Sequence, residues 1–170
     1  MNRVQPWTLS LIVTAAAIAA ACAPGAMAAS PAPAAAHAHY GAPAAKTRLD
    51  HGRKWASDAP LREGMTRIRA LVAPELPRAH AGTMAPAEYA ALAAKVEVQV
   101  GNIVANCKLP PEADAVLHGV LSELSSGTAA MAGKAAGTQP SEGLLHVAQA
   151  LNDYGRTFEH PGFKPIAIGH

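Results

Sequence analysis

Met65, Cys107, His118 and His160 are the side chains of this sequence whose types could act together chemically. Thioether, thiol and imidazole are soft donors, suited to monovalent copper or to a haem iron. Each also has an ordinary reading. Met65 falls on an apolar helical stripe, where methionine commonly fills a core. Cys107 on a buried face behaves as a small hydrophobe, and its reactivity would depend on its surroundings. His118 has Asp114 one helical turn before it, the spacing of a solvated ion pair. His160 precedes Pro161 at a helix terminus, where an imidazole complements the negative dipole end. The sequence holds no His-Glu-x-x-His, no carboxylate cluster of the di-iron type and no Cys-x-x-Cys-His. Those absences remove the zinc-protease, di-iron and covalent-haem chemistries. A nucleophilic role for Cys107 needs a base beside it, and the helical phase of His118 does not supply one, so the expectation is a protein that is not an enzyme.

Four helices must position these residues. The first is capped by Ser57 or Asp58, carries Leu61, Met65, Ile68 and Val72 on one face, and is expected to stop at Pro74. A loop containing Pro74, Pro77 and Gly82 follows. The second opens on Thr83 with Pro86 in its first turn, and its stripe of Tyr89, Leu92, Val96, Val100 and Ile103 ends on Cys107. Lys108-Leu109 is too short to do anything but fold the chain back, because Pro110-Pro111-Glu112 starts the third helix. Its stripe is Leu117, Val120, Leu124 and Met131. The fourth runs from Ser141 through Leu144, Ala148, Leu151, Gly155 and Phe158 to Pro161-Gly162. With no strand signal and no repeat, the pattern predicts an all-α, up-down-up-down antiparallel four-helix bundle. That topology gathers Met65, Asn102, Asn106, Cys107, His118, Tyr154 and His160 at one end.

The flanks set the compartment. Arg3, the apolar run Leu11–Cys22 and the small-x-small Ala26-Met27-Ala28 predict a secretory signal over residues 1–28 and a periplasmic protein, with lipid anchoring at Cys22 as the competing reading. Residues 29–56 read as an Ala/Pro/His-rich linker in which His37 and His39 make a weak copper or zinc site or a plain solvated tether. Residues 57–160 are the bundle and 161–170 a tail. Without Arg3, 13 basic side chains face 12 acidic ones. Such a balance offers nothing to nucleic acid, and no membrane-spanning segment is expected in the mature chain.

The stretches APLREGMTRI, PPEADAVLHGV and LNDYGRTF resemble, in that order, the soluble periplasmic cytochrome b562 family. The resemblance implies a four-helix bundle that holds haem b between a methionine early in the first helix and a histidine late in the fourth. Met65 falls on the methionine position and Gly155, just after Tyr154, on the histidine position. The family's two large aromatic haem contacts fall on Val116 and Val120. A glycine on the apolar stripe, Gly155, implies either a close approach by another helix or an open cavity. Two functions therefore stand. One is a binding protein that holds copper or haem at the bundle end through Met65, Tyr154, Gly155, Cys107, His118 and His160. The other is a bundle without a cofactor, acting as a periplasmic interaction or stress-accessory protein.

Overall fold

A computed structural model describes residues 48–169; the expected signal, Cys22, His37 and His39 lie outside the described residues. Four long helices make up the body: α1 (Ala59–Val72), α3 (Pro86–Asn106), α4 (Pro111–Met131) and α5 (Pro140–Thr157), with a short α2 (Leu76–His80) between the first two. Among the described residues there is no strand beyond two isolated bridges, Asp50 with Arg53 and Trp55 with Phe158. None of the described helices is long and apolar enough to cross a membrane.

Asp58 starts α1. Its Oδ1 accepts the Leu61 N–H at 2.9 Å, satisfying one of the donors that a helix start leaves unpaired. Leu61, Met65, Ile68 and Val72 are then fully buried, as their spacing predicts. α1 ends at Val72, just before Pro74, as the proline predicts, but the segment after it is not the expected loop. A 3-10 turn over Ala73–Glu75, with Pro74 in its first turn where no N–H is needed, passes the chain into α2, where Leu76 and Ala79 are buried. α3 begins at Pro86, and Ala85 is its cap residue. The Glu88 carboxylate accepts the Ala85 N–H at 2.8 Å, whereas the Thr83 hydroxyl donates to the Arg78 carbonyl. The same device starts α5, with Glu142 accepting from Gln139 N–H at 3.1 Å.

Glycine sets the closest approaches. A Cβ on Gly143 would lie 2.6 Å from the Gly127 carbonyl oxygen and 2.6 Å from the Met131 nitrogen, so α4 and α5 meet backbone to backbone. Gly64 of α1 likewise lies under the Ile103 side chain of α3, 2.4 Å from where its Cβ would be. Helix α5 ends at Thr157, short of Pro161-Gly162, because other backbone partners compete. Trp55 N–H donates to Thr157 O at 2.9 Å and Glu159 N–H to Trp55 O at 2.8 Å, drawing Phe158 out of the helix. Trp55 is 8% exposed and belongs to the core, although the sequence places it in a linker. The chain then turns at His160–Phe163, with Gly162 at φ +80°, a conformation that suits glycine. Residues 163–169 run back along the body as a non-helical strap.

Candidate functional site

The start of α1, the end of α3 and the end of α5 meet around Asp58. Its second carboxylate oxygen, Oδ2, accepts the Lys108 N–H at 2.7 Å, tying α1 to the short α3–α4 connection. The Cys107 thiol lies beside the same carboxylate. Cys107 itself is the residue that closes α3, its N–H donating to Ile103 O at 2.8 Å, and it is half-buried against the core. Burial, and then the Asp58 charge beside it, push the thiol up to about 12. A neutral thiol is a poor nucleophile and a poor metal ligand. Burial acts to raise the Asp58 carboxyl as well. The N–H groups of Lys108 and Leu61 and the Cys107 thiol outweigh it and hold Asp58 below the ordinary carboxylate value.

Tyr154 lies fully buried next to this carboxylate, and burial raises its phenol well above the usual range. Its hydroxyl pairs with His160 Nδ1 at 2.9 Å. The other ring nitrogen of His160, Nε2, is 3.4 Å from Thr66 Oγ1, whose own proton goes to the Arg62 carbonyl. One proton arrangement satisfies all three bonds: Tyr154 O–H donates to Nδ1 and Nε2–H donates to Thr66. In that arrangement the imidazole is neutral, and burial followed by the nearby Arg62 charge lowers its basicity further. The Arg62 guanidinium donates to Ser57 O and Ser57 Oγ, and Ser57 Oγ–H in turn donates to Glu159 O. Beside these groups opens a cleft of about 400 Å³ lined by Ser57, Arg62, Glu159 and His160 among others.

Gly155 decides what can be held here. A Cβ on it would sit 3.0 Å from Cδ1 and 3.2 Å from Cε1 of Phe163, so the strap's aromatic ring lies where a side chain from position 155 would project. Phe163 is edge-on to Tyr154 at a centroid distance of 5.2 Å and tilted on His160 at 4.9 Å, while Phe158 stacks on Tyr154 at 5.5 Å. Four rings thus fill the exit of α5. Neither expected alternative at Gly155 is what is found: no helix crosses closely there and no cavity is left, because a ring from the non-helical tail covers the position. The residues present do not fit a haem bound through position 155, since no ligand atom is available there and the space is taken.

Met65 and Cys107 belong to one apolar cluster. Met65 is wholly enclosed in the hydrocarbon core. His118 is exposed on α4, its Nδ1 2.9 Å from the Asp114 carbonyl and 3.3 Å from the Asp114 carboxylate, the solvated pair that their spacing suggests. Asn106 turns its amide to the Asn102 carbonyl one turn back. Among the described residues no three His, Cys, Asp or Glu side chains stand together in a way that could hold a metal ion. Sequence reasoning passed over Arg62, Trp55 and Phe163. For Phe163 the available signal was Gly155 itself, a glycine on a helix's apolar face that something had to cover. No family model matches the chain, and neither the curated proteins nor the solved structures contain a match to it.

Proposed function

We propose that the chain is an exported, non-enzymatic up-down-up-down bundle of cytochrome b562-like design that has given up its haem and works as a periplasmic interaction or accessory protein. The observation that carries this reading is the Phe163 ring packed on Gly155, where the resemblance requires an imidazole. Thioether sulfur alone is a weak hold on haem iron, and Met65 is the one family ligand kept. Cys107, which burial and the neighbouring Asp58 charge hold protonated, adds neither a ready thiolate for soft metal nor a nucleophile for catalysis.

The test is direct. The mature protein is purified from cells supplied with excess haem and, separately, with excess copper; the visible spectrum and the metal content are then recorded. The expected result is no Soret band and less than one-tenth of a metal ion per chain. A stoichiometric copper that disappears in Cys107→Ser or His160→Gln would replace this proposal with the soft-metal one. A Soret band lost in Met65→Leu would restore the cytochrome.

A further inference from the structure

Residues 163–169 are held by a device that does not depend on their sequence. The Asn152 side chain of α5 pairs with both backbone groups of Ile166: its Nδ2 donates to Ile166 O at 3.0 Å and its Oδ1 accepts Ile166 N–H at 2.7 Å. From the other side, α1 contributes Arg69, whose Nε donates to Lys164 O at 2.7 Å. Specificity comes chiefly from two side chains three residues apart, with Ile168 packing more loosely beyond them. Phe163 packs on Gly155 and Tyr154, and Ile166 is buried in the core. Lys164, Pro165 and Ala167 face solvent. Main-chain clamps combined with two apolar pockets are how protein grooves recognise peptides.

We propose that the seam between α1 and α5 is a peptide-binding groove occupied in cis by the chain's own C-terminal segment, and that it accepts the same segment from a second copy of this chain. This inference rests on the interaction-protein reading above and supplies a partner for it. The occupant is identified by what already sits there: a terminal Phe-x-x-Ile segment whose shape and hydrogen bonds the groove fits. A four-residue turn, His160–Phe163, with Pro161 and Gly162 exposed at its tip, is all that directs the segment back onto its own body. Opening that turn would present the segment to a neighbour and leave the groove free, the exchange by which identical elements swap between protomers. Each copy offers one segment and one groove, so reciprocal exchange closes as a two-fold dimer.

The probe is a fluorescent synthetic peptide of residues 160–169 titrated onto the full chain. The resident segment competes at a high effective concentration, so wild type binds only its small open fraction and apparent affinity falls accordingly. In the full chain carrying Phe163→Ala and Ile166→Ala, the peptide is expected to bind at least about tenfold more tightly than to wild type, and adding Asn152→Ala is expected to abolish that gain. Light scattering should show the wild-type dimer fraction rising with concentration and falling when excess peptide is added. Absence of saturable binding to a variant that retains its helical spectrum overturns the proposal, as does equal binding of a scrambled peptide. Hydrogen exchange on unmodified protein gives a check that needs no variant. The Ile166 amide should exchange well ahead of the α4 and α5 core amides, and exchange in step with them would mean that the strap never leaves. Haem and metal content are unaffected by any of these outcomes, so a failed groove leaves the haem-free reading standing, and a haem-loaded protein refutes that reading whatever the peptide does.

Discussion

Gly155→Ala measures the ring that covers position 155. Inside a helix this substitution ordinarily stabilises by about 1 kcal/mol, since alanine loses less backbone freedom on folding. Here the new methyl would meet the Phe163 ring at 3.0 and 3.2 Å, well inside the ~3.5–4.0 Å at which two carbons pack comfortably. Forcing a methyl into an occupied space costs about 1–3 kcal/mol. In wild type the two effects oppose, and Gly155→Ala should range from neutral to about 2 kcal/mol destabilising. In a Phe163→Ala background the obstruction is gone, and the same substitution should recover its full gain of about 1 kcal/mol. Phe163→Ala itself should cost about 2–4 kcal/mol, because the ring is only partly buried yet pairs edge-on with Tyr154. Urea unfolding of the four proteins, followed by circular dichroism, gives the coupling energy, expected at about 1–3 kcal/mol. Should Gly155→Ala stabilise both backgrounds equally, the ring does not lie on position 155. The case against a haem ligand from that position would then collapse with it.

Helix crossings give a contrasting pair: Gly143→Ala places a methyl 2.6 Å from backbone atoms that cannot step aside and should lower stability by more than about 2 kcal/mol, whereas Gly101→Ala, with open space around it, should raise stability by up to about 1 kcal/mol in the same thermal melt. Cys107 should react with a thiol reagent at pH 8 far more slowly in the folded protein than in urea, because burial and the neighbouring carboxylate keep it protonated; Asp58→Asn should speed the native reaction. His160 has a folded-state pKa below its unfolded value, so the unfolded chain binds the extra proton. Its contribution is complete above about pH 6.5 and is lost as pH falls below that value, a slope in melting temperature that His160→Gln should flatten. Asp58, lowered on folding, adds a second loss only as pH drops below its ordinary value near 3.8, and Asp58→Asn should remove that acid limb, keeping the cap on Leu61 but losing the bond from the Lys108 N–H, at a cost of about 1 kcal/mol.

What could be read without coordinates follows from the range of the forces involved. Apolar stripes are local and periodic, so Leu61, Met65, Ile68 and Val72, and the runs from Tyr89 to Ile103 and from Leu144 to Leu151, name their own buried faces. Helix starts are nearly as local, yet Thr83 misleads because Glu88, five residues on, captures the Ala85 N–H and fixes the start two residues later. Pro74 marks the end of α1 correctly, but the stretch after it reads as a loop although a tighter turn carries the chain onward to the buried anchor Leu76. The candidate site was legible as a meeting of chain ends but not as chemistry. Whether the Cys107 thiol is reactive depends on Asp58, almost fifty residues earlier, and what Gly155 means depends on a phenylalanine beyond the last helix. An irregular strap has no period to detect, and its anchors, the Asn152 amide, the Arg69 guanidinium and a few apolar side chains, are common residues on any surface. The same lack of periodicity makes it the element best able to leave: helices α4 and α5 are joined by backbone contact at Gly127 and Gly143, while the strap depends on a few hydrogen bonds and two side chains, and local opening begins where buried contacts are fewest.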